Sequence, residues 1–139
     1  MSEAIISREF PVSAQRLYDA IADQDKLGSW LGAKVSVPVR GDGGLVGTVR
    51  RVHLGPFSFD ERIASTESPC SLDYSIVPPM PLLKHHRGEM RIEALGPERS
   101  RLQWRVVLEL QLGAHHVVLP VLKGVLSVGL GRLAKRLAH

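Results

Sequence analysis

The chain has 139 residues, 44% hydrophobic and 23% charged, proportions that exclude wholesale disorder, collagen-like repeats and low-complexity sequence. At that length folding removes about two-thirds of the surface an unfolded chain exposes, so one domain over 1–139 is expected without covalent staples. Eighteen basic against 14 acidic residues leave a net charge of +4, but Arg50, Arg51, Arg87, Arg91, Arg99, Arg101 and Arg105 are interspersed with acids and few aromatics exist to stack bases, so no nucleic-acid partner is expected.

Glu3 to Phe10 reads as a strand stopped by Pro11. Ser13 stands at a helix N-cap, with Val12 and Leu17 spaced as a hydrophobic staple, and Leu17, Ala20 and Ile21 form the apolar face of the helix that follows. Gly28 and Gly32 bracket a second short helical turn carrying Leu27, Trp30 and Leu31. From Ala33 to Val39 the period becomes two, ending in the turn Gly41-Asp42-Gly43-Gly44. Leu45–Leu54, Phe57–Thr66, Ser71–Val77, Lys84–Leu95 and Arg101–Leu112 are further strands, and the short turns between them predict an antiparallel meander.

The segment from about Leu119 to Ala138 returns to a helical period, with Leu122, Leu126, Leu130, Leu133 and Leu137 on one stripe. Such a helix is about 28 Å long, and Pro120 is tolerable only in its first turn. The apolar run Val117–Gly131 is interrupted by Lys123 and falls short of the ~20 residues of a membrane span, so none is expected. Gly124, Gly129 and Gly131 weaken the helix; they leave room for a ligand or allow close approach to the sheet. A further reading detaches the helix and lays its leucine stripe and basic residues on an anionic membrane surface. No basic segment leading into an apolar core opens the chain, which predicts an unprocessed cytoplasmic protein.

The motifs Phe10-Pro11-Val12-Ser13-Ala14, Leu17 to Asp23 and Trp30 resemble the opening of the SRPBCC (START-like) superfamily. Gly47-Thr48-Val49-Arg50, Asp60-Glu61-Arg62-Ile63, Leu72 to Ile76, Pro78-Pro79-Met80-Pro81 and Leu102-Gln103-Trp104 are similar to its polyketide cyclase/dehydrase-like branch. The resemblance covers nearly the whole chain. It implies an α+β helix-grip fold, a curved antiparallel sheet of about seven strands around a long C-terminal helix, with a largely apolar cavity between them. It implies no single function, because the superfamily includes carriers of lipids and hormones, cyclases and partner-binding proteins.

Strand alternation predicts the lining independently, since residues two apart share a face. Leu102, Trp104, Val106, Leu108 and Leu110 point inward, as do Leu72, Tyr74 and Ile76, and His86, Gly88, Met90 and Ile92. On the strand from Phe57, the apolar side with Phe59 and Ile63 also contains Glu61. A lone carboxylate there costs several kcal/mol, on the order of the burial penalty of an ion, so Glu61 is expected to be paired, protonated or hydrated. Val46, Thr48, Arg50 and Val52 share the facing side and make Arg50 its natural partner; the opposite face, with Leu45, Val49 and Arg51, is nearly as apolar.

Glu61 and Arg50 are either a polar anchor at one end of an apolar pocket or an ion pair that only fixes the strands. The candidate ligand-binding set is Trp30, Arg50, Phe59, Glu61, Tyr74, His86, Met90, Trp104, Leu122 and Leu126. For catalysis the candidates are Glu61 or His86 as proton-transfer group and Arg50 as electrostatic stabiliser; equally, His86 is a core residue and Tyr74 and Trp30 core aromatics. No cofactor and no metal are expected. Cys70 is the single cysteine, and His85 and Glu89 stand about 13 Å apart along their strand. These features point first to non-catalytic binding of a hydrophobic or amphipathic small molecule. The alternatives are a polyketide cyclase or dehydratase, and a protein-interaction module with a residual cavity.

Overall fold

The period-two segments pair antiparallel in the computed structural model, which describes residues 2–138. The strands are β1 (Glu3–Phe10), β2 (Lys34–Val39), β3 (Val49–Leu54), β4 (Phe57–Glu67), β5 (Ser71–Val77), β6 (Leu83–Gly96) and β7 (Arg99–Leu110). From β2 to β7 each strand pairs with its successor, and β1 pairs with β7, giving one seven-stranded sheet among the described residues. Helices α1 (Ala14–Ala22) and α2 (Leu27–Leu31) follow β1, and a short 3-10 turn, Gln111–Gly113, leads into α3 (His115–Leu137). The architecture is the α+β helix-grip type that the element order implied.

Local chemistry sets these boundaries. The Ser13 hydroxyl accepts from the Arg16 amide at 3.2 Å and caps α1, whose Leu17, Tyr18 and Ile21 are buried. Gly32 ends α2 at φ +82, a left-handed conformation costly for a residue with a Cβ.

Three expectations need correction. The strand expected from Leu45 begins at Val49, because Gly47 turns at φ +89; Val46 is consequently half-exposed at 50% instead of sharing the inner face. Phe57 is 68% exposed, although its alternation is inward, because it flanks the turn at the tip of the β3–β4 hairpin, where cover runs out. The last helix starts at His115, since Leu112 and Gly113, both at positive φ, stop the chain from continuing as β7. Pro120 therefore lies in the second turn of an unbroken helix, where it removes the hydrogen bond to the His116 carbonyl on an exposed side. By length and composition alone, the 23-residue α3 passes for a membrane-crossing helix, as the core helix of a water-exposed domain also can.

The leucine stripe does face the core. Leu126, Leu130 and Leu133 are buried with Leu119, and Leu122 and Leu137 are half-buried. α3 lies against β1, β7 and α2. Gly129 explains part of the arrangement, since an added Cβ would stand 3.2 Å from the Leu31 Cα and 3.3 Å from the Trp30 carbonyl oxygen. The close approach is thus to α2, where the sheet was expected. At Gly124 an added Cβ would meet nothing within 4 Å. Gly124→Ala should therefore stabilise the protein by about 0.5–1 kcal/mol in urea unfolding, while Gly129→Ala destabilises it.

Candidate functional site

The register of β3 and β4 sets Arg50 directly opposite Glu61 on the inner face. Arg50 Nε donates to Glu61 Oε1 at 2.9 Å, with the two residues 3% and 8% exposed. Arg50 Nη1 donates to Gln24 Oε1 at 2.9 Å, and Gln24 Nε2 donates to the Ala22 carbonyl at 3.0 Å, which ties the ion pair to the end of α1. The guanidinium also lies 4.5 Å from the Tyr74 ring centroid, a cation–π contact in a desolvated setting. Several partners are needed because two buried charges lose several kcal/mol each on leaving water, on the order of their Coulombic attraction.

Tyr74 joins this polar end to an aromatic one. Its hydroxyl accepts from Trp104 Nε1 at 2.9 Å, and the Trp104 ring packs edge-on against Trp30 of α2, with centroids 6.3 Å apart. The Tyr74 ring lies across its cross-strand partner Gly88, where a Cβ would stand 2.1 Å from the ring. Burial, with Glu61 adding to it, pushes the Tyr74 hydroxyl well above its ordinary range, so it stays a neutral donor and acceptor.

His86 is fixed by a break in the sheet. The ladder between β5 and β6 ends at Tyr74 and Gly88, and beyond it the Ile76 amide donates to His86 Nδ1 at 3.0 Å. The neutral ring therefore carries its proton on Nε2, which stands 4.0 Å from Glu61 Oε2. Burial holds the His86 value below the ordinary 6.5, against the opposing pull of Glu61. Between 6.5 and that lower value an unfolded chain binds a proton that the fold refuses, so stability falls as pH drops through this window. The melting temperature should accordingly fall more from about pH 7 to about pH 5 in the wild type than in His86→Asn, whose Oδ1 can replace Nδ1 as acceptor. Equal falls would refute the linkage.

The expected set is thus largely assembled: Trp30, Arg50, Glu61, Tyr74, His86 and Trp104 form one continuous buried cluster. Met90 is buried opposite Trp104, Leu126 is buried and Leu122 half-buried on the core side of α3. Phe59 departs from the set and lines a surface recess of about 210 Å³ with Arg51, Asp60 and Pro78. A second recess, of about 350 Å³, lies between Pro11, Arg16 and the end of α3. Both are surface features, and the interior place where an apolar cavity was implied is occupied by the aromatic cluster. Gln24 escaped sequence reasoning because it sits between α1 and α2, outside any periodic pattern.

Residues 3–138 match the family described as polyketide cyclase / dehydrase and lipid transport. The chain belongs to this family. No curated protein matches this family member. Among solved structures it is similar to a protein from Bacillus thuringiensis, at 17% identity and a TM-score of 0.78 over 99% of this chain and 100% of that one. Norcoclaurine synthase from Thalictrum flavum, solved in complex with dopamine and hydroxybenzaldehyde, is 16% identical with a TM-score of 0.77 over 99% of this chain and 86% of that one. The Aha1 dimer from Colwellia psychrerythraea is 14% identical with a TM-score of 0.77, over 99% and 96%. At these identities the likeness shows the fold that this cyclase/dehydrase and lipid transport family member shares with them.

Proposed function

We propose that the protein binds a hydrophobic or amphipathic small molecule between the sheet and α3, its polar group held by Arg50, Glu61 and His86. The observation that carries this reading is the buried indole donor of Trp30, left without a partner, together with the facing atoms of Glu61 and His86, which make no hydrogen bond to each other. Glu61 Oε2 and His86 Nε2 stand 4.0 Å apart, beyond hydrogen-bond range, and Trp30 Nε1 is buried without a partner. A buried donor without a partner costs about 1–3 kcal/mol, which a ligand hydroxyl or carbonyl would recover. The family description supports a ligand of this kind. Because aromatic side chains occupy the interior, binding requires α2 or α3 to shift and Trp30 to move with it.

The chain has two tryptophans, Trp30 and Trp104, both in this cluster. Their emission should therefore change saturably when anilinonaphthalene sulfonate is titrated in, at one probe per chain. Native mass spectrometry of protein from its own host should show a copurified apolar molecule. Glu61→Gln should shift the probe's affinity by about tenfold, the effect of one charge-assisted hydrogen bond. Probe binding that never saturates, with no copurified molecule, would overturn the proposal.

The fixed Nε2 proton of His86 facing the Glu61 carboxylate favours a second reading, a cyclase or dehydratase. Here Glu61 takes a substrate proton and returns it to the product, while Arg50 and the neutral His86 Nε2–H stabilise the developing charge. In that case Glu61→Gln or His86→Ala should lower turnover of an enolisable polyketide-like substrate by about 10²-fold or more.

A further inference from the structure

Leu82 and Leu112 adopt left-handed backbone conformations, φ 66 and 61, which cost a residue with a Cβ about 1–2 kcal/mol each. Both are also exposed, at 44% and 96%. The Gln111 amide donates to the Leu82 carbonyl at 2.8 Å, which ties the two loops side by side at the start of α3. Strain that presents two leucines to water gains nothing for the fold itself.

Further apolar surface lies along α3. Val117, Val121 and Val128 are 73%, 65% and 57% exposed, and their spacing of four and seven puts them on the side opposite Leu126, Leu130 and Leu133. Arg132 and Lys135, both exposed, extend the same outward side toward the C-terminal end. From Val117 to Lys135 this strip is about 27 Å long. Residues 110–139 hold four basic residues and no acid, so the entire net charge of +4 resides there, the rest of the chain being balanced at fourteen of each sign. Residues 78–88, which include Leu82 and Lys84, also lack an acid; the nearest in sequence to α3 is the half-buried Glu109.

We propose that this face docks on an anionic phospholipid bilayer, with Leu82, Leu112 and the three valines entering the boundary between headgroups and acyl chains. Lys135, and Lys84 beside Leu82, meet the headgroups, while Arg132 and Arg136 donate to Trp30 and Ser29 of α2. An apolar strip inside a wholly basic segment fits a lipid surface, whose attraction combines buried apolar area with a negative surface potential. The leucine stripe stays in the core, so the helix need not detach as the sequence alone suggested. The proposal stands independently of what the interior binds.

The test is cosedimentation with vesicles of phosphatidylcholine alone and with about one-third phosphatidylserine, a content that gives a negative surface potential. The wild type should bind the serine-containing vesicles more, and added salt or Lys84→Glu with Lys135→Glu should weaken that binding. Leu82→Asn with Leu112→Asn should weaken it by about tenfold or more, from the apolar area lost. Asparagine tolerates the left-handed region, so this variant should melt no lower than the wild type. Equal binding to both vesicle types, or undiminished binding by the asparagine variant, would overturn the proposal. So would light scattering that shows a dimer which Val121→Glu converts to monomer, since a second copy would then cover this face.

Discussion

Arg50→Met should destabilise the protein by about 3–5 kcal/mol, the usual cost of removing one partner from a buried ion pair. The size follows from what is left behind: Glu61 loses its 2.9 Å bond inside the sheet, Gln24 Oε1 loses its donor, and Tyr74 loses the cation over its ring. Urea unfolding of the single variants and of Arg50→Met with Glu61→Leu separates the possibilities. The double variant should recover most of the loss, because replacing both charges by apolar groups removes the desolvation cost along with the attraction. A single-variant loss under about 1 kcal/mol, the level of an exposed pair, would mean that the pair is not buried in solution.

Gly88→Ala should have a comparable or larger effect. The added methyl would stand 2.1 Å from the Tyr74 ring, which the Trp104 hydrogen bond and the Arg50 guanidinium hold from two sides. Overpacking a core costs about 1–3 kcal/mol where neighbours can yield, and the loss here should reach or exceed that upper end. The same change at Gly124 meets open space, so the two alanine variants should move the urea midpoint in opposite directions. Adding Tyr74→Leu to Gly88→Ala should recover part of the loss, and its failure to do so would point to the backbone of β6 instead of the ring.

The pairing of Arg50 with Glu61 was legible because a carboxylate on an otherwise apolar strand face demands a cation, and strand alternation offers few. Alternation fails where its premise fails: Val46 lies in a turn, and Phe57 sits at a hairpin tip with nothing above it. The leucine period placed the inner side of α3, while the valines, though spaced four and seven, read in the sequence only as part of one apolar run and became an outward apolar side once the helix was packed. The positive φ of Leu82 and Leu112 has no sequence signature, since leucine ordinarily avoids that region. Nor does the orientation of His86, which depends on where β5 and β6 part.

That parting makes one imidazole nitrogen serve as a rung of the sheet, because Nδ1 of His86 receives the amide that a neighbouring strand carbonyl would otherwise take. Any fluctuation that widens the seam releases this nitrogen to solvent and makes the ring more basic, while any proton captured there evicts the Ile76 amide. Breathing of the seam and proton uptake are therefore the same event seen from two sides, and deuterium exchange at Ile76 would report it as a protection factor, the rate relative to an unstructured amide at the same pH, that falls as the solution is acidified.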